Sequence, residues 1–280
     1  MCGRIALYSD PDYLARIFDA ELGIDVDPDG RPSWNVPPTR SILAIADVTD
    51  GSGEKSGPGE PDGSGAPEGD DGSGDQPPSS VHRELGRYRW GLLPSWAKDP
   101  SVASRTFNAR AETVASKPSF RAAFTARRLA VVADGFYEWQ PGPGKTRQPY
   151  YFTRADGQPL VLAGLWEQWW GGPQAADLPE AERPFLRTCT VITTEAGPDM
   201  GEIHHRMPVV LDPAHLDEWL DPTNRDKPEL ESMLVAAPAG TLVHRAVRTS
   251  VGNVRNDGPE LIEAAELIEQ AELTSEPGSP

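Results

Sequence analysis

The chain has 280 residues, 38% of them hydrophobic and eight of them tryptophan, which is ample material for a buried core and excludes a wholly disordered protein. Its formal net charge is −17, but residues 47–84 carry ten acidic and two basic side chains and residues 257–280 carry seven acidic and none basic, so the rest of the chain is close to neutral. Overall acidity therefore does not exclude a nucleic-acid partner, because Arg4, Arg105, Arg110, Arg121, Arg127, Arg128 and Arg206 remain to build a basic surface.

No charged and apolar leader opens the sequence, and no apolar run approaches the ~20 residues a membrane helix needs, so the reading is a cytoplasmic protein. The two cysteines, Cys2 and Cys189, make neither a disulfide framework nor a paired-cysteine zinc motif. No metal or other cofactor is expected.

In chain order, Met1-Cys2-Gly3-Arg4 comes first and is the most informative stretch. Removal of Met1 would leave on Cys2 both an α-amine with pKa near 8 and a thiol with pKa near 8.5. Roughly a fifth of such amines are neutral at cytosolic pH, and they attack an aldehyde to give an imine, which the neighbouring sulfur closes into a five-membered thiazolidine. The plainer reading is a small second residue that merely permits methionine removal.

Asp10-Pro11 followed by apolar residues at helical spacing predicts a short helix to Phe18. Asn35 stands in Trp34-Asn-Val-Pro-Pro-Thr, where the prolines stiffen the backbone; alone this is a turn. Ser41 to Asp47 and Arg87 to Leu92 read as strands. Between them, Thr49 to Ser80 is almost entirely Gly, Ser, Pro, Asp and Glu, without apolar core formers, and cannot offset the entropy of ordering. We read 49–80 as a disordered insertion in place of a hairpin turn, with a linker between two domains as the competing reading.

Asn108 lies in Phe107-Asn-Ala-Arg-Ala-Glu-Thr, an alternation of amide, guanidinium and carboxylate that also suits a solvated loop or a helix start. Strands are predicted at Leu129–Ala133, Phe136–Trp139, Tyr150–Thr153, Leu160–Trp166 and Thr188–Thr194. Glu138, between aromatic residues, becomes a proton carrier near neutral pH if its strand is buried; period-2 alternation fits a glutamate on a wet edge equally well. Cys189, in an alternating β-like run, is expected in the core. His204 and His205 precede Arg206-Met-Pro, and two adjacent histidines do not supply a metal site, so acid/base or hydrogen-bonding work is the better reading. Helices are predicted at Ala214–Leu220, Glu229–Leu234 and Glu260–Leu273. Strands dominate, so the class is α+β with a mainly antiparallel, barrel-like sheet and flanking helices.

Taken together, Cys2-Gly3-Arg4, Asn35-Val-Pro-Pro, Trp90-Gly-Leu-Leu-Pro-Ser-Trp96, Asn108-Ala-Arg-Ala-Glu-Thr113, Asp134-Gly-Phe-Tyr-Glu-Trp139, Ile203-His-His-Arg-Met-Pro208 and Val251-Gly-Asn-Val-Arg-Asn256 resemble the SRAP (SOS response-associated peptidase) family, in the family's order. The chain departs from the family in the acidic insertion, in the region from Trp169-Trp-Gly-Gly-Pro and in the tail after Leu261, none of which interrupts a matched motif.

The resemblance implies one domain over 2–262, with 263–280 an acidic helical or disordered tail. It implies a monomer that recognises abasic sites in single-stranded DNA, at single-strand/double-strand junctions among others, in DNA repair and the SOS response, and is nucleoid-associated when bound. By position, Cys2 would be the nucleophile, Asn108 would orient the reacting groups, Glu138 would shuttle protons, and His204 would act on the opening deoxyribose. Arg4, Asn35, Trp96, Arg110, Thr193 and Arg206 would bind DNA, with the three arginines holding phosphates, Trp96 packing on DNA near the lesion and Thr193 approaching the site. Lyase-like imine chemistry and peptidase action limited to self-processing are the accompanying activities it implies. Two other classes stay open: a glutamine amidotransferase with an N-terminal cysteine, whose usual Met-Cys-Gly-Ile differs here at Arg4, and a non-catalytic single-stranded DNA-binding module.

Overall fold

The computed structural model describes residues 2–27, 30–49, 81–172, 175, 178–179 and 185–265. The chain runs β1 (Ile5–Leu7), α1 (Pro11–Ile17), β2 (Glu21–Leu22), β3 (Ser33–Val36), β4 (Ser41–Thr49), β5 (Val81–Trp90), β6 (Asn108–Arg110), α2 (Ala111–Val114), α3 (Arg121–Ala126) and β7 (Arg128–Ala133). It continues through β8 (Gly135–Pro141), β9 (Arg147–Arg154), β10 (Leu160–Trp169), β11 (Leu186–Glu195), β12 (Arg206–Pro208), α4 (Leu216–Leu220), α5 (Lys227–Ser232) and β13 (Leu242–Ala246).

The helix predicted after Asp10 forms as expected: the Asp10 side chain accepts from the Tyr13 N–H at 3.0 Å, and Pro11 occupies the first turn, where its missing donor costs nothing. α5 likewise starts two residues earlier than predicted because Asp226 caps it, accepting from Glu229 N–H at 3.0 Å. The short strands β1, β3, β6, β12 and β13 have no periodic signature of their own and exist because neighbours supply their hydrogen bonds.

The larger sheet has the order β12-β11-β10-β7-β4-β5-β2, and β5 also pairs in parallel with β11 through Thr188↔Arg89 and Cys189↔Trp90. That extra pairing closes β5, β4, β7, β10 and β11 into a ring, which satisfies the backbone groups an open edge would leave bare. The second sheet, β13-β9-β8-β1-β3, packs beside it. β4 and β5 are antiparallel from Ser41↔Arg89 to Thr49↔Val81, so residues 50–80, which lie outside the described residues, connect two adjacent strands.

Period-2 alternation divides the core. Leu43, Ile45, Ala130 and Val132 face the helices with Trp219 and Leu216, whereas Ile42, Ala44, Leu129 and Val131 face the second sheet with Ile5, Phe136 and Phe152. Phe136 and Phe152 sit opposite in register and stack at 5.0 Å, and Cys189 is buried in the same cluster, the core position expected of it. At Gly135 a Cβ would lie 2.3 Å from the Tyr151 ring, so only glycine lets β8 begin where β1 can pair with it.

Two expectations need correction. Arg128 is no surface residue: it is fully buried, and its guanidinium donates to the carbonyls of Phe124, Thr125, Trp219 and Asn224 at 2.6–3.2 Å, tying the ends of α3 and α4 to β7. Burial lowers its pKa to about 10, which leaves it charged at neutral pH. Where the predicted helix Glu260–Leu273 should begin, the described residues form a 3-10 turn at Pro259–Ile262 instead; Glu263 is extended, Ala264 bridges to Val247, and Ala265 N–H donates to Ala246 O at 2.9 Å. The chain leaves the helical path there because the end of β13 offers backbone partners and buried Leu261 anchors the turn. The remainder of that predicted helix, 266–273, lies outside the described residues.

Candidate active site

β1 meets β8 antiparallel, with Ile5↔Phe136 in register and Tyr137 N–H donating to Arg4 O at 2.9 Å. Continuing that register puts Gly3 opposite Glu138, and the Cys2 thiol lies near enough to feel the Glu138 charge. Cys2 is fully buried, and its thiol is pushed up to about 12, first by burial and second by the negative charge of Glu138. The sulfur is thus protonated at neutral pH and has an acid/base group next to it.

Asn108 opens β6, which pairs in parallel with β11 through Val191↔Asn108. Its Nδ2 donates to Cys2 O at 2.6 Å, which fixes the backbone of the residue that bears the thiol. Its Oδ1 is buried and has no partner among the described residues, which leaves it able to accept an amine or thiol hydrogen.

Glu138, on β8, is 4% exposed, and burial raises its pKa above the ordinary carboxyl value. Of the two readings its alternating context allowed, the buried one holds. Its Oε1 lies 3.5 Å from Nδ1 of half-buried His204, which sits just before β12, the other strand that flanks the end of β11. Nδ1 of His204 is 2.9 Å from both the N–H and the carbonyl of Arg206; unprotonated it accepts from the former, and protonated it donates to the latter. Burial lowers the His204 pKa, so the imidazole and the Glu138 carboxyl both lean toward their neutral forms. Cys2, Asn108, Glu138 and His204 are therefore brought together from the approach to β1, from β6, from β8 and from the approach to β12.

The residues assigned to DNA divide by exposure. Arg110 is exposed, and Trp96 is 54% exposed. Asn35 is 2% exposed and its Nδ2 donates to the carbonyls of Val251, Asn253 and Asn256 at 2.7–3.2 Å, holding the 251–256 loop against β3. Arg4 is half-buried; its Nη1 donates to Asn35 Oδ1 at 2.6 Å and to Val251 O at 2.8 Å, and its guanidinium lies 5.7 Å over the Trp139 ring. Arg206, 9% exposed, donates to the Glu112 carboxylate through both terminal nitrogens, Nη1 and Nη2, and from Nη2 also to Thr193 O. Thr193 is buried, with its hydroxyl donating to Ala109 O at 3.2 Å.

Sequence reasoning assigned no role to Glu112, Trp139 or the carbonyls of the 251–256 loop. Glu112 follows Asn108 within one motif, which was a signal, but its partner is 94 residues away and the pairing is a property of the fold. Among the described residues no three His, Cys, Asp or Glu side chains group as a metal site, and no helix is long and apolar enough to cross a membrane.

A family model described as SOS response associated peptidase (SRAP) matches residues 1–254. The abasic site processing protein YoqW of Bacillus subtilis (strain 168) is 35% identical over 266 residues, which is 94% of this chain and 100% of that protein. The abasic site processing protein HMCES of Gallus gallus is 38% identical over 216 residues, covering 69% of this chain and 61% of its own length. A crystal structure of a Bacteroides thetaiotaomicron protein superposes with a TM-score of 0.72 over 95% of this chain and 100% of that one; at 20% identity the likeness concerns the fold.

Proposed function

The chain belongs to the SRAP family, and on that premise we propose that it captures abasic sites in single-stranded DNA as a covalent thiazolidine on Cys2. The observation that carries the reading is the setting of Cys2, whose carbonyl is held by Asn108 and whose thiol stands beside a buried carboxyl. A residue that merely permits methionine removal needs neither.

In this reading Met1 is removed, and the freed α-amine attacks the C1′ aldehyde of an open abasic sugar. The C1′–N bond forms, and a proton moves from nitrogen to oxygen to give a carbinolamine. Glu138, whose burial favours the protonated form, donates its proton to that hydroxyl, the C1′–O bond breaks, and water departs to give an iminium ion. The resulting Glu138 carboxylate takes the Cys2 thiol proton, sulfur adds to C1′, and the ring closes with Glu138 again an acid. Aldehyde plus aminothiol thus gives thiazolidine plus water. An unclosed imine would permit β-elimination and strand cleavage, so addition of sulfur protects the strand.

Asn108 Oδ1 accepts a hydrogen from the reacting amine or thiol, a role supported by its lack of a partner among the described residues. His204 acts on the closed deoxyribose, releasing the aldehyde. Arg110 and Trp96 meet phosphate and base from the surface, while Arg4 and Arg206, with Asn35 and Thr193 behind them, shape the wall. An abasic site offers no base to read, so backbone and stacking contacts suffice. The protein acts as a monomer, and any peptidase action is confined to release of its own leader.

The test is a denaturing gel of purified protein with an abasic oligonucleotide. A band shifted by the mass of the protein, on an uncleaved strand and absent with Cys2→Ala, is expected. No shifted band, or one that forms equally with intact DNA, rejects the reading.

A further inference from the structure

His205 has no part in the chemistry above, yet its ring stacks on that of His204 with centroids 4.4 Å apart and planes 29° from parallel. In an extended strand consecutive side chains point to opposite faces. Here residues 204 and 205 lie in a bend before β12, and both rings share one side. The bend is held at both ends: His204 N–H donates to Met200 O at 3.1 Å, and Ala196 N–H donates to His205 O at 3.0 Å as Arg206 enters β12 opposite Glu195. His205 is exposed, so no core requirement accounts for the position of its ring.

The Nδ1 edge of His204 is placed by the Arg206 backbone at 2.9 Å and by Glu138 at 3.5 Å. Contacts at one nitrogen fix that edge, and a ring laid on the face of the imidazole adds a constraint on its plane. Resting on the function proposed above, we propose that His205 is a positioning residue that sets the plane of the His204 imidazole for its work on the deoxyribose ring. The aromatic face is what matters, and the His205 nitrogens are dispensable.

The experiment compares His205→Ala, His205→Phe and His204→Ala in adduct formation with an abasic oligonucleotide and with a small open-chain aldehyde, which needs no ring opening. His205→Ala should slow the reaction on abasic DNA by about two- to tenfold, the range one lost aromatic contact supplies. It should be bypassed by the small aldehyde, as His204→Ala should be, and His205→Phe should restore the wild-type rate. NMR of the His204 ring should show line broadening or a shift in His205→Ala and wild-type-like resonances in His205→Phe. A phenylalanine variant as slow as alanine, an alanine variant as fast as wild type, equal losses on both substrates, or an unperturbed His204 ring in His205→Ala overturns the proposal. Loss of the adduct question itself, with no Cys2-dependent product from the wild type, strikes the function and leaves the NMR comparison to decide the role of His205.

Discussion

Glu138 and His204 face each other at 3.5 Å across the join between β8 and the approach to β12, and burial drives both toward their uncharged forms. A carboxyl whose burial favours its proton, beside an imidazole whose burial disfavours one, pairs an acid with an acceptor.

Reversal of the adduct should therefore depend on Glu138 as an acid. Its pKa is raised, so reversal should be fast below that pKa and slow as pH rises through it. Glu138→Gln should slow release by roughly 10²-fold or more and flatten the pH profile. Release of labelled DNA from purified adduct across pH measures this; an unchanged profile in the variant would remove Glu138 from the chemistry.

The same shift predicts a stability effect of known sign. With the folded pKa above the unfolded one, the folded state binds more protons between them, so stability falls as pH rises through that window. Glu138→Gln should thus melt higher than wild type at neutral pH, with the gain vanishing below the ordinary carboxyl range. Thermal melts at the two pH values check it.

Cys2→Ala retains an amine without sulfur, so its product with abasic DNA should be an imine, trapped by borohydride and followed by strand cleavage. Intact mass should show Met1 absent from every preparation that forms the stable adduct. A stable adduct on protein that retains Met1 would refute the N-terminal amine.

Asn108→Ala removes the donor to Cys2 O and should slow adduct formation by about 10- to 100-fold, consistent with the ~1–3 kcal/mol that a buried hydrogen-bonding group commands. Single-turnover gels give the rate, and a melting curve separates that effect from unfolding.

Arg110 and Arg206 should part company. Arg110→Ala should weaken binding to abasic and intact strands alike and reduce the salt slope by about one, at unchanged melting temperature. Arg206→Ala leaves Glu112 and the Thr193 carbonyl without their donor and should lower stability by about 1–3 kcal/mol before any effect on DNA is read. Equal melting temperatures for both variants would contradict this division.

Replacing residues 50–80 with a short Gly-Ser turn should leave cross-linking intact, since the strands it joins already pair up to Thr49↔Val81. Shorter closure should stabilise the fold by roughly 1–2 kcal/mol, and the lost negative charge should speed association with DNA at low salt. A folded variant unable to cross-link would show that the segment serves the chemistry.

Much was legible in the sequence because it is local. The Asp10 cap, the strands from Leu129 to Thr194 and the division of their side chains between two faces follow from capping chemistry and period-2 alternation over a few residues. Cys2 at the amino end, and the motifs around Asn108, Glu138 and His204, carry their residue types on the page. Local pattern also misled at Glu260–Ala265, which has helical spacing, yet the chain turns aside at Glu263 because β13 offers better partners. Arg128 read as surface because a guanidinium is costly to bury, and no local signal announces the ring of helix-end carbonyls that receives it.

What tertiary structure alone decided is distance and burial between segments far apart in the chain. The Asn108–Cys2 bond spans 106 residues and the Arg206–Glu112 pair spans 94, and neither separation leaves a mark in composition or spacing. Whether Glu138 was a wet edge carboxylate or a buried acid depended on what covered its strand, and desolvation is set by neighbours in space. The sequence determined which chemical groups the protein owns and in which local conformations they sit; the closed sheet and the β1–β8 register decided which of them meet, because a pKa or a hydrogen bond answers to ångströms through space and is blind to order along the chain.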